Sequence, residues 1–243
     1  MKKNDFFRFE NKNDDFPFYN GNPMNFTALQ SWFLLIVCIG SIVFFEVGSG
    51  FLPRFMHPFI NIIIPLSAFA IVVKSNWNKI FRKIYFKDIF LVFGVLIVNL
   101  IVTLIMGLLI ASFFGGHPNP VTNIIKQNST LDNIMFFASS IPMLFGEELI
   151  TIIPFLVILQ FSTKNLKFSR KQAVIIAWIL SAIIFGAVHL ETYNWNIVQA
   201  ILGISTVRLI LTFPYIKTKN IWISTFVHIL NDWCLFLPAL LLK

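Results

Sequence analysis

Seven apolar runs, each about as long as a membrane crossing, constrain this chain more than any other feature. They fall near residues 29–49, 55–74, 88–114, 133–161, 171–190, 195–213 and 221–242. Roughly 20 apolar residues cross a bilayer core as a helix. Lipid offers the backbone no hydrogen bonds, so only helices and closed barrels can span it. Barrel strands alternate apolar and polar residues; these runs are continuous and read as helices. The third and fourth runs are long enough to be tilted or broken. The predicted fold is all-α, a polytopic transmembrane helix bundle of about seven spans.

Composition removes the main alternatives. Charged residues make up 12% of the 243 residues, about half the share in a soluble domain. Hydrophobic residues reach 57%, Phe alone numbers 29, and mean hydropathy is +0.78. The net charge of +8 does not point to nucleic acid, because the basic residues sit between apolar runs instead of forming one surface. Cys38 and Cys234 both lie inside apolar segments, which argues against a disulfide framework. Residues 1–28 are polar and mixed in charge, with no signal-peptide pattern.

The connections set a predicted orientation. Arg and Lys concentrate in residues 1–28 and in the connections after the second, fourth and sixth spans, for example Arg82, Lys83, Arg170, Lys217 and Lys219. The positive-inside rule makes that side cytoplasmic. The chain is then a multi-pass cell-membrane protein, N-terminus inside and C-terminus outside. Three regions follow: 1–28, a polar cytoplasmic segment; 29–129, N-terminal transmembrane helices; and 130–243, the core. No internal repeat is visible, which gives an inverted-repeat transporter no support. The stretch 115–132 reads as an extracytoplasmic loop. It contains Asn128-Ser129-Thr130, a glycosylation pattern with many false matches.

Ionisable groups inside spans are costly and mark function by default. Glu147 and Glu148 sit mid-span in the fourth run, His189 toward the end of the fifth, Arg208 in the sixth, and His228 and Asp232 in the seventh. His228 and Asp232 are four apart and share a helix face, as do Phe185 and His189. Glu147 and Glu148 point about 100° apart, so different tasks are expected of them. Linear counting puts Glu147 and Asp232 near mid-bilayer and His189 nearer the outer side. A carboxylate, imidazoles and a further carboxyl could activate water and hold an oxyanion.

GEELI, FGAVH and HILND, in that order on successive apolar runs, resemble the three motifs of the CPBP family. That family includes CAAX-type prenyl-protein endopeptidases and bacterial Abi proteins linked to bacteriocin processing and self-immunity. The resemblance covers roughly residues 130–240, including the lead-in Tyr215 to Trp222. It implies that Glu147 activates water with His189, that His228 and Asp232 hold the oxyanion, and that Glu148 belongs to the same centre. Phe185 and Arg208 are supporting residues. Members have also been described as metalloproteases, and Glu147, His189 and His228 are ligand types that zinc accepts. No HExxH is present, and no cofactor is expected, with zinc as the minority reading.

Two positions depart from the family pattern. Ile152 stands where the motif has Arg, which deprives Glu148 of a partner one turn away; Arg208 is predicted to replace it. Asp232 stands where many members have Asn, and an ionised Asp cannot donate to an oxyanion.

Plainer readings stand beside these. The glutamates, His189 and His228 could serve interhelical hydrogen bonding, and Arg208 could snorkel to an interface. Glu46, Arg54, His57 and Glu191 read as solvated span ends. Trp77, Trp195 and Trp222 read as interfacial anchors, and Gly107, Gly186 and Gly203 as sites of close helix approach. The resemblance implies a bacterial intramembrane endopeptidase that cleaves a hydrophobic, prenylated or membrane-associated peptide, with the lipid bilayer as its other partner and no nucleic acid. The alternative is a catalytically silent relative that gives bacteriocin self-immunity through protein–protein interaction. A proton-coupled carrier has little support.

Overall fold

The computed structural model describes residues 6–45 and 49–241; Glu46 lies outside them. Eight α-helices run through the described residues: α1 (Ala28–Val43), α2 (His57–Val73), α3 (Phe86–Phe114), α4 (Pro120–Gln127), α5 (Thr130–Lys164), α6 (Arg170–Ala187), α7 (Ser205–Thr218) and α8 (Ile221–Leu241). A π-helical turn, Val198–Ile204, leads into α7. Six helical segments are long and apolar enough to cross a membrane. The first predicted span, near residues 29–49, is α1, an apolar helix of 16 residues.

Local chemistry sets the helix starts. Thr27 with Gln30, Ser129 with Asp132 and Ser169 with Gln172 form reciprocal capping boxes, which satisfy N–H groups that the first turn leaves open. Ser129 of the glycosylation pattern is therefore a cap. The stretch 115–132 is not simply a loop: Asn119 caps α4 and Pro120 opens it, where a missing N–H costs nothing.

α5 is the axis of the bundle. It packs against α1, α2, α6 and α8, and it is continuous over 35 residues despite Pro142 and Pro154. Of its most apolar window, 67% is buried, against 22% for α3. α3 lies on the outside, against α7 and α8. Its exposed Ile89, Phe93, Ile97, Ile101, Leu104 and Leu108 recur every three or four residues and make a lipid-facing stripe.

The N-terminal segment is more than a polar tail. Phe7, Phe16, Phe18, Tyr19 and Phe26 are buried with residues of α1, α2, α5 and α6. Glu10 Oε1 accepts from Arg170 Nε at 3.0 Å, and Oε2 accepts from Arg170 Nη2 at 2.6 Å; Lys219 Nζ lies 3.1 Å from Oε2. Arg170 also pairs with Asp15 (2.7 Å) and Arg82 with Asp14 (2.7 Å). One segment thus ties together the connections α2–α3, α5–α6 and α7–α8. Burial pulls the Lys219 ammonium below its ordinary pKa, and Glu10 opposes that pull. Arg82, Arg170 and Lys219, counted above as topogenic charges, are structural as well.

The opposite end is tied by amides. Asn196 Nδ2 donates to the Gly115 carbonyl (2.7 Å), and Gln199 exchanges two 2.8 Å hydrogen bonds with the His117 backbone. Of the three glycines singled out, Gly186 makes a close approach: a Cβ there would collide with Ser205 Oγ and the Ala200 carbonyl. Gly203 would meet only the tip of Ile110, and Gly107 faces open space. Gly146 is the unforeseen one, since a Cβ would lie 2.8 Å from Asn61 Cβ and 2.9 Å from its carbonyl carbon. Trp222 is also no simple anchor, because it stacks on Phe145 at 5.0 Å and 18°.

Candidate active site

The motif residues meet around one imidazole, that of His228 on α8. On one side, His228 Nδ1 lies 3.0 Å from Glu148 Oε1. Arg208 of α7 reaches the same carboxylate oxygen with Nη2 at 2.7 Å, and its Nη1 lies 3.3 Å from His228 Nδ1. The Glu148 and Arg208 side chains are both fully enclosed. On the other side, His228 Nε2 faces Glu147 Oε2 and Asp232 Oδ1, each at 3.8 Å. That is too long for a hydrogen bond, and the His228 side chain is only 4% exposed.

The glutamate pair resolves as two environments. Glu148 is sealed, whereas Glu147 keeps 22% of its side chain exposed. The 100° between them does not send them to separate places. They reach opposite nitrogens of one ring.

Phe185 of α6 joins the elements. The Arg208 guanidinium lies 4.5 Å above its ring, a cation–π contact. The His189 ring is 4.5 Å away and the His228 ring 6.2 Å. His189 lies just past the end of α6, in a turn. Its Nδ1 is 2.8 Å from the Phe185 carbonyl. A carbonyl only accepts, so Nδ1 is the donor there. Glu147 and His189 line one cavity of about 60 Å³ with Asn61, Met143, Phe185 and Thr192, which has room for water. The depth offset from linear counting is thus bridged by a shared cavity.

Sequence reasoning followed charge and passed over buried amides. Asn99 of α3 is fully buried and donates from Nδ2 to Asn231 Oδ1 at 2.9 Å. Asn231 Nδ2 in turn donates to Asp232 Oδ1 at 3.0 Å. This chain orients the Asp232 oxygen that faces His228. Asn61 of α2 is buried in the cavity wall, and its Oδ1 has no hydrogen-bond partner. An Asn inside an apolar run was the available signal, as costly there as any unpaired polar group. Tyr193, buried beyond α6, lies 3.4 Å from Asn119 Nδ2, and burial raises its pKa. Arg54 and Glu191 are exposed, whereas His57 is partly buried, with its Nε2 3.2 Å from the Leu52 carbonyl. Among the described residues, no three His, Cys, Asp or Glu side chains are grouped as a metal-binding set.

Comparison with known proteins gives a family for this region. Residues 129–234 match the family model described as type II CAAX prenyl endopeptidase Rce1-like. No curated protein matches the chain, and no solved structure does. The match begins at Ser129, the cap of α5, and ends at Cys234, two residues past Asp232. It takes in every charged group around His228. Residues 129–234 thus match an Rce1-like domain model of the CPBP/CAAX protease family, within a multi-pass membrane protein.

Proposed function

We propose that this protein is an intramembrane endopeptidase that hydrolyses a peptide bond in a hydrophobic, prenylated or membrane-associated peptide. The observation that carries the reading is the cavity shared by Glu147 and His189, with Glu147 Oε2 3.8 Å from His228 Nε2. Water in that cavity has an acceptor in the Glu147 carboxylate and a second in His189 Nε2. Glu147 takes a proton as the water oxygen bonds to the substrate carbonyl carbon. The carbonyl π electrons move to oxygen, and the oxyanion is held by N–H donation from His228 Nε2. When the intermediate collapses, the C–N bond breaks and Glu147 returns the proton to the leaving amine. Asp232, oriented by Asn231, positions His228. Arg208 and Glu148 fix the ring from its other nitrogen.

The silent-relative reading drew on the missing arginine of the first motif. Ile152 does occupy that position, in the apolar core, but Arg208 reaches Glu148 from another helix. Glu148 therefore keeps an arginine partner despite the departure. We place the N-terminal segment on the cytoplasmic side, in keeping with the basic residues gathered at that end.

The test is cleavage of farnesylated CAAX-type and unprenylated hydrophobic peptides by detergent-solubilised protein, with mass spectrometry of the products. Cleavage of at least one substrate class, lost in Glu147→Gln, supports the proposal. A chelator arm separates a metal-dependent route from a glutamate-dependent one.

A further inference from the structure

A cavity larger than the one at the motif residues lies elsewhere in the molecule. A groove of about 1170 Å³ opens on the outside of the bundle, between α3 and α7, beneath the N-terminal segment. It exceeds the roughly 300–1,000 Å³ of small-molecule pockets. Its walls are apolar: Phe90, Leu91, Val95 and Val98 of α3 face Ile210 and Phe213 of α7. Its mouth is basic, with Lys83, Lys87 and Lys217. None of these three lysines has a carboxylate within 4 Å among the described residues. Lys83 and Lys87 instead gather over the Tyr85 ring, at 5.9 and 5.4 Å.

The acidic residues at the mouth are already engaged. Glu10 serves Arg170 and Lys219, Asp14 serves Arg82, and Asp88 accepts the Tyr85 backbone N–H at 2.8 Å. Three cations thus face an apolar slot with no counter-charge of their own. From Lys87 to Val98 the slot runs roughly 16 Å along α3, the depth of one leaflet of a core about 30 Å thick.

We propose that this groove is a binding site for an anionic phospholipid, with its phosphate at Lys83, Lys87 and Lys217 and an acyl chain between α3 and α7. Charge complementarity selects the anionic head, and basic pockets between helices are known to hold such lipids. The groove shares no lining residue with the cavity of Glu147, so the proposal stands or falls independently of the protease reading.

The test is native mass spectrometry of the detergent-purified full chain, titrated with dioleoylphosphatidylglycerol and, separately, with dioleoylphosphatidylcholine. The anionic phosphatidylglycerol should be retained preferentially. Each Lys→Gln change among the three should reduce its retention on the order of fivefold. Gly94 lies on the groove wall and a Cβ there meets nothing within 4 Å. Gly94→Trp therefore fills the slot without touching the charges, and it should displace the lipid even if the lysine variants fail to fold. Equal retention of the two lipids, or phosphatidylglycerol binding unchanged in Gly94→Trp, overturns the proposal. So does a groove that holds a farnesylated peptide but not the lipid.

Discussion

Arg208 and Glu148 lie on different helices, 60 positions apart in sequence, and meet at 2.7 Å with neither side chain open to solvent. In the family pattern the arginine would stand at position 152, one helical turn from Glu148. Here the charge comes from α7. Removing one member of a buried pair leaves the other without compensation, at about 3–5 kcal/mol. Arg208→Leu should lower the midpoint of thermal unfolding in detergent and abolish turnover. Arg208→Lys keeps the charge but loses the planar fork, and should recover stability in part. An Arg208→Leu protein with unchanged melting and activity would show the pair to be incidental.

The amide chain from α3 should matter to turnover more than to substrate binding. Asn99→Leu removes the donor to Asn231 Oδ1, and Asn231→Leu removes the donor to Asp232 Oδ1. A buried polar group left unsatisfied costs about 1–3 kcal/mol. Both variants should lower kcat with KM little changed, because Asp232 and His228 lose their orientation. A change confined to KM would place the amides in substrate binding instead.

Gly146 and Gly186 hold helices at contact distance beside Glu147 and His189. Alanine at either position forces apart α5 and α2, or α6 and the π-helical turn. Overpacking of this kind costs about 1–3 kcal/mol. Gly107→Ala is the control, since nothing lies within 4 Å of a Cβ there, and it should melt like the wild type.

The N-terminal segment should be inseparable from the bundle. Glu10 carries hydrogen bonds from Arg170 and an ion pair with Lys219, all enclosed. Glu10→Gln should destabilise by about 3–5 kcal/mol. Limited proteolysis then reads the consequence: cleavage within residues 6–27 in the variant, and protection in the wild type. Equal protection would mean that the aromatic contacts alone hold the segment.

The spans were legible because lipid imposes one strong rule on sequence: long runs without charge. α4 was not, since eight residues opened by Pro120 look like a loop until Asn119 is seen as its cap. The N-terminal segment also escaped, because its buried rings follow neither a helical nor a strand period and the basic partners of its Glu10 lie more than 150 positions away, at Arg170 and Lys219. Around His228, the charged residues announced themselves by their cost in lipid, and the Glu148 partner was found by asking which other charge could reach it. Asn99, Asn231 and Asn61 carry no charge and went unread, although an unpaired amide in a membrane poses the same problem. The convergence of both glutamates on one ring was hidden by reasoning from helix angle alone. Once a partner ring has two nitrogens, adjacent residues can serve it from two sides.

Water activation by Glu147 is tested by measuring activity and folding together in one variant. Glu147→Gln keeps the size of the side chain but cannot take a proton. General-base loss costs roughly 10²- to 10⁴-fold. The cleavage rate of a hydrophobic or farnesylated peptide should fall by that factor, with thermal unfolding within a degree or two of the wild type. Cleavage by Glu147→Gln at the wild-type rate would contradict water activation by Glu147.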